Sequence, residues 1–395
     1  MSLREKLTQS GPKKLLALDG GGIRGMITVE VLAEIEGLLR EKLQSDTLVL
    51  SDYFDYVCGT STGAIIATCI AAGMPVSKIR DFYRESGKEM FDRASILKRL
   101  RYKYDDEPLT RKLRTVLKDE LGMEETEDGR EREPTLGNAN LRTLLMVVLR
   151  NVTTDSPWPL SNNPAAKYND RSRPDCNLNL PLWQIVRSST AAPTYFPPEV
   201  VTLGEGEDAY SFIFVDGGVT PYNNPSFLVF LMATVKAYRL GWSTGEDQIL
   251  LVSVGTGTTP DADDNLRPSQ LHLLHSATSI PGALMFGATN QQDMLCRVFG
   301  KCMEGGQLDR EIEGLMGSGS LIMGSESQGL PKHFTYMRYN VELSSSGLGA
   351  LGLGDIDPGA VQQMDSVDHM DKLLKIGKAV GEQQVRAEHF EGFLA

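Results

Sequence analysis

A chain of 395 residues with 41% hydrophobic and 23% charged residues can bury a large core and has room for one elaborated domain or two. Its formal charge of −12 gives no general attraction to DNA, RNA or an anionic bilayer, so contact with any such partner has to be local. Five scattered cysteines without CxxC spacing predict neither disulfides nor zinc, and no stretch is apolar for the length of a bilayer span or a signal-peptide core, which points to a cytoplasmic protein.

Leu15 to Leu18 reads as a short apolar strand running into Asp19-Gly20-Gly21-Gly22-Ile23-Arg24-Gly25, after which Ile27, Val31, Leu32, Ile35, Leu38 and Leu39 recur at helical spacing. Phe54 to Cys58 is a second strand, and Ala64 to Ala72 a helix of small residues that stops at Gly73 and Pro75. Strand, glycine loop, helix, strand, turn, helix predicts a parallel sheet covered by helices. Residues 94–135 break this pattern with a basic segment, a helix and a polar stretch, and are read as an insertion or lid. Leu144 to Leu149 returns as a buried strand, Asn162 to Asn179 is loop, and Leu182 to Thr190 is a helix closed by Pro193. Ser211 to Val215 and Ile249 to Val254 are further strands ending in glycine-bearing turns, with a core helix over Phe227 to Val235. The α/β core thus spans residues 13–260, and residues 261–395 form a C-terminal extension packed on it. That extension carries a helix over Gly282 to Gly300, a glycine- and serine-rich stretch from Gly305 to Gly329, a strand-like segment from His333 to Leu343 and a terminal helix over Met370 to Phe393.

Three segments carry chemistry. Gly59-Thr60-Ser61-Thr62-Gly63 lies between a strand and a small-residue helix, the setting of a nucleophile elbow, where flanking glycines make room for a sharp turn. Gly20 to Gly25 allows two readings. As Gly20-x-Gly22-x-x-Gly25 it fits a dinucleotide-binding oxidoreductase, but Asp46 and Asp52 precede the second strand instead of closing it. As an oxyanion hole, the same amides would hold the charge that develops on an ester carbonyl. Asp216-Gly217-Gly218 ends the strand Phe212 to Val215, at the sheet edge where ligands bind, although an aspartate before glycine also serves simply as a turn cap.

In this order the segments resemble the patatin-like phospholipases, whose core is similar to that of cytosolic phospholipase A2. The family pattern DGGG[IL][RK]G, GxSxG, DG[GA] stands here as Asp19 to Gly25, Gly59 to Gly63 and Asp216 to Gly218. Ser188 to Pro197, Asn223-Asn224-Pro225 and Val254 to Gly257 also fit. The resemblance implies a three-layer α/β/α sandwich with a mostly parallel central sheet. It implies Ser61 as nucleophile, Asp216 as base, and an elbow built by Gly59, Thr60, Thr62 and Gly63. It further implies an oxyanion hole formed by the Gly20, Gly21, Gly22, Arg24 and Gly25 loop, centred on the Gly21 and Gly22 amides, with Arg24 supporting the loop or meeting a lipid phosphate. Gly217 and Gly218 complete the Asp-Gly motif. The implied reaction is hydrolysis of the carboxylic esters of membrane phospholipids through an acyl-enzyme at the inner membrane surface, without cofactor or metal; the acidic run Asp261 to Asp264 lacks EF-hand spacing.

The five histidines, His272, His275, His333, His369 and His389, all follow Asp216, so a Ser, Asp, His order is formally available. The resemblance assigns none of them. An unperturbed aspartate, with a pKa of about 3.9, is too weak a base at neutral pH, so a dyad requires a desolvated Asp216 bonded directly to the Ser61 hydroxyl. The basic stretch Lys98 to Lys118 offers a surface for a membrane or an anionic effector, against the plainer reading of a solvated helix face. Met285, Met294, Met303, Phe286 and Phe299 are read as helical core packing in preference to an acyl pocket. Some bacterial family members are anti-phage effectors switched on by cyclic nucleotides, so the resemblance extends to a cyclic dinucleotide or trinucleotide activator; a homo-oligomer is compatible with the sequence. The alternatives are the dinucleotide-binding oxidoreductase and a non-catalytic binding protein of the same fold.

Overall fold

The computed structural model describes residues 3–90, 103–126, 129–204, 206–259, 273–308 and 330–394. Strand β1 (Lys13–Leu18) feeds the glycine loop and helix α1 (Gly25–Lys42); β2 (Tyr56–Thr60) feeds α2 (Thr62–Ala71), followed by α3 (Val76–Met90) and α4 (Glu107–Leu121). Then come β3 (Leu144–Asn151), β4 (Ser156–Ser161), α5 (Leu182–Ser189), β5 (Glu199–Leu203), β6 (Tyr210–Asp216) and α6 (Ser226–Thr234). The remainder holds β7 (Ile249–Val254), α7 (Leu273–Phe299), β8 (Gly300–Glu304), β9 (Phe334–Tyr339) and α8 (Met370–Gln384).

Among the described residues these strands form one nine-stranded sheet, ordered β8-β9-β7-β1-β2-β3-β6-β5, with β4 paired to β3. The six from β8 to β3 are parallel, while β4, β5 and β6 join antiparallel. The central strands read as unbroken apolar runs because both faces are covered. Leu16, Leu18, Val57, Val147 and Val252 face a layer that includes α1, α2 and α8, and their alternates Leu15, Ala17, Cys58, Val148 and Leu251 face α6 and the end of α7. This is the α/β/α sandwich expected from the sequence.

Several boundaries differ. The strand-like segment after His333 narrows to β9 and pairs with β7, so residues from the expected extension complete the same sheet. The terminal helix stops at Gln384, where Val385 turns extended. Strand β4 escaped the sequence reading because Pro157 and Pro159 interrupt it; such a strand survives only at an edge, and among the described residues β4 pairs only with β3. Within residues 94–135, 94–102 lie outside the described residues, and α4 buries Leu109, Leu113, Leu117 and Leu121 in the main core.

Candidate active site

Ser61 sits between β2 and α2 with φ 55° and ψ −123°, a conformation uncommon for a residue with a side chain. The turn closes only because Gly63 has no Cβ: one there would run into the carbonyls of Leu18 and Asp19 at the end of β1. The Ser61 N–H donates to Ser189 Oγ at 2.9 Å, and Ser189 in turn donates to the Val148 carbonyl at 2.7 Å. The strained serine is thereby tied to α5 and to β3. Thr60 and Thr62 flank it as buried supports, donating to the Tyr222 carbonyl at 2.7 Å and bonding the Tyr83 hydroxyl, respectively.

The Ser61 hydroxyl donates to Asp216 Oδ2 at 2.7 Å, while Asp216 Oδ1 accepts the Gly218 N–H at 2.7 Å. Burial raises the Asp216 pKa to about 6, although the Gly218 N–H, the Ser61 hydroxyl and the nearby Arg187 charge each pull it back. Gly217 is pressed against the Val148 carbonyl, where no side chain fits. Arg187 is fully buried, donating to the Pro197 carbonyl at 2.9 Å with its guanidinium 5.5 Å from the Phe196 ring centre.

The glycine loop lies against the serine: a Cβ on Gly20 would stand 3.2 Å from that of Ser61. The loop is pinned along its length. Gly20 N–H donates to the Asn223 carbonyl (3.1 Å), Thr256 Oγ1 donates to the Gly20 carbonyl (2.8 Å), and Ile23 N–H donates to the Met364 carbonyl (2.9 Å). These bonds distinguish the amides of the expected oxyanion set. The Gly20 and Gly25 amides are already engaged, the latter with the Gly22 and Ile23 carbonyls. Arg24 is buried with its Nε turned to the Gly21 carbonyl at 3.5 Å, and burial lowers its pKa to about 10. Arg24 is not among the residues that line the cavity. The Gly21 and Gly22 amides have no partner among the described residues, and both residues line the cavity with Ser61.

That cavity measures about 810 Å³ and is walled mainly by apolar side chains, including Ile65, Met90, Leu109, Phe196 and Val219. Met285 joins them, with Gly282 of the same helix α7, which differs from its reading as core packing. Phe286 borders a separate cavity of about 330 Å³, and Phe299 stacks on Phe227 at 5.7 Å in the opposite layer. Among the described residues no histidine lines the active-site cavity. His389 Nδ1 is 2.8 Å from the Tyr339 hydroxyl, and His333 Nδ1 is 3.4 Å from Thr244 Oγ1. His272, the side chain of His275 and the run Asp261 to Asp264 lie outside the described residues. In the basic stretch, Lys98 to Tyr102 lie outside as well; Lys103 pairs with Asp365, Lys112 with Glu89 and Arg114 with Glu133, which leaves Arg111 and Lys118 without an ion pair among the described residues.

The sequence reading missed Ser189, Thr256 and Met364 as supports of the site. Ser189 and Thr256 stood inside recognised segments, but the roles of all three come from partners distant in the chain.

A family model for patatin-like phospholipases matches residues 16–229. Patatin-17 of Solanum cardiophyllum is 31% identical over 262 residues, covering 63% of this chain, and Patatin-T5 of Solanum tuberosum is 30% identical over the same length. The chain spans about 61% of the length of these relatives. Among solved structures, VipD from Legionella pneumophila aligns over 93% of this chain and 67% of its own, at 14% identity and a TM-score of 0.35.

Proposed function

This chain belongs to the patatin-like phospholipase family, and from that premise we propose that it is a lipid acyl hydrolase cleaving carboxylic esters of membrane phospholipids by a Ser61–Asp216 dyad. The observation that carries the reading is the 2.7 Å hydrogen bond from the Ser61 hydroxyl to a buried Asp216, beside two loop amides that have no partner among the described residues, at the wall of an apolar cavity. A serine hydroxyl needs a base to become a nucleophile, and the raised pKa of Asp216 brings it nearer to that task than an ordinary aspartate.

In the first half-reaction Ser61 Oγ attacks the ester carbonyl and its proton passes to Asp216. The Gly21 and Gly22 amides receive the oxyanion, and the departing alcohol or lysolipid takes the proton back from Asp216. Water then attacks the acyl-enzyme and gives a proton to Asp216, which passes it to Ser61 Oγ as the ester bond breaks, so that the fatty acid leaves and the hydroxyl and carboxylate are restored. Burying each acyl methylene is worth about 0.8 kcal/mol, so the apolar wall favours a long chain. Action at a membrane surface is supported by Ile280 and Leu284, which are 53% and 69% exposed on α7 close in sequence to the cavity-lining residues Gly282 and Met285; that this is the inner surface rests on the family resemblance.

Fatty acid release from phospholipid vesicles by wild type, Ser61→Ala and Asp216→Asn tests the reading. Release that survives Ser61→Ala would return the glycine loop to a nucleotide-binding or non-catalytic role. Activation by a cyclic dinucleotide or trinucleotide in anti-phage defence rests on the family resemblance alone, and the same assay with and without those nucleotides decides it.

A further inference from the structure

Asp19, which opens the glycine loop, is buried and does not line the cavity. Its carboxylate is held by Arg338, 319 residues away on β9: Nη1 donates to Oδ1 at 2.8 Å and Nη2 to Oδ2 at 2.5 Å. Arg338 Nη1 also donates at 2.8 Å to the Oγ of Ser253, its register partner on β7. The arginine is itself buried and lies outside the span of the family match.

A loop of three consecutive glycines has little stiffness of its own, so the direction in which it leaves β1 has to be imposed from outside. The Asp19 backbone N–H is fixed to the Val254 carbonyl at 3.1 Å, and the two-pronged guanidinium fixes the side chain of the same residue. The next two residues are Gly20, whose carbonyl is held by Thr256, and Gly21, whose amide has no partner among the described residues and lies at the cavity. We infer that Arg338 is a positioning residue of the hydrolytic site, acting through Asp19 to aim the Gly21 and Gly22 amides at the oxygen of the bound ester. This inference rests on the hydrolase reading above. Lysine, a point charge without the planar fork, would keep the ion pair but lose the orientation.

The alternative is that the pair only stabilises the core. In that case an apolar replacement of both partners, which buried ion pairs often tolerate without loss of stability, would leave catalysis intact. The test uses the full chain as wild type, Arg338→Lys, and the double variant Asp19→Leu/Arg338→Met. Thermal midpoint, kcat and KM on the soluble ester p-nitrophenyl butyrate, and the rate of Ser61 labelling by a fluorophosphonate are measured for each. The expected result is a double variant with a midpoint within about 5 °C of wild type, kcat down about 100-fold, the lower end of the loss for a missing oxyanion donor, and KM within about two-fold. Arg338→Lys is expected to be folded and to lose at least about 10-fold in kcat, so the inference stays open to refutation should the double variant fail to fold. Wild-type kcat in a folded double variant, or in Arg338→Lys, would overturn it. No turnover and no Ser61 labelling in wild type would instead overturn the hydrolase reading, and the inference with it.

Discussion

The Ser61 hydroxyl and the Asp216 carboxylate, 155 residues apart in sequence, meet across 2.7 Å. The other oxygen of Asp216 is committed to the Gly218 N–H, so the carboxylate cannot turn away from the serine without losing a second bond. Ser61→Ala and Asp216→Asn are each expected to lower kcat on a soluble ester by about 10³-fold or more. A fluorophosphonate should label wild type and leave Ser61→Ala unlabelled; equal labelling of the two would remove Ser61 as nucleophile.

Asp216 is a base only when ionised, and burial brings its pKa up to about 6. Activity on a substrate that does not titrate should therefore climb from pH 5 to pH 7 and level off above, with a midpoint near 6. A pH–rate profile already flat at pH 5 would mean that another group takes the proton.

The same shift fixes the sign of a stability effect. With a folded pKa of about 6 and an unfolded value of about 3.9, the native state binds more protons between those limits, so stability falls as pH rises through that window. The ionised carboxylate then costs up to about 3 kcal/mol above pH 6. Asp216→Asn, inactive but uncharged, should raise the urea midpoint at pH 7.5 and lose that advantage near pH 4. A lower midpoint than wild type at both pH values would contradict the assignment.

Ser189 joins the elbow to the sheet by accepting from the Ser61 N–H and donating to the Val148 carbonyl. Ser189→Ala leaves both buried groups unpaired, at a cost of about 1–3 kcal/mol. The expected signature in equilibrium unfolding is a lower urea midpoint with an unchanged m-value, accompanied by a drop in kcat as the strained Ser61 backbone relaxes. Unaltered stability and rate would show that the elbow holds itself.

The exposed Ile280 and Leu284 give α7 an apolar surface next in sequence to its cavity-lining residues Gly282 and Met285. Ile280→Ser/Leu284→Ser should reduce hydrolysis of vesicle phospholipid by about 10-fold, the loss expected when part of two large side chains stays in water. Turnover of the soluble ester should be unchanged. Equal loss on both substrates would mean that these residues support the fold and not the interface.

Much of the site was legible locally. The apolar runs of β1, β2, β3 and β7 announce strands covered on both faces, and the turns after β1 and β2 need glycines for steric reasons that hold wherever such turns occur. The sequence also determined the chemistry on offer, a serine in an elbow and an aspartate at a strand end, because those depend on residue type and near neighbours. Which partners those groups find is a matter of distance in space, which the order of residues does not record. Only the tertiary structure decided that Gly20 and Gly25 spend their amides internally while Gly21 and Gly22 keep theirs, that Met285 walls the cavity, and that Asp19 is gripped by Arg338. The Asp19–Arg338 pair follows from β9 packing on β7 beside β1, the Met285 contact from α7 reaching the cavity wall, and the Gly20 bond from Asn223 lying against the loop, contacts made by residues far along the chain that no local pattern could announce.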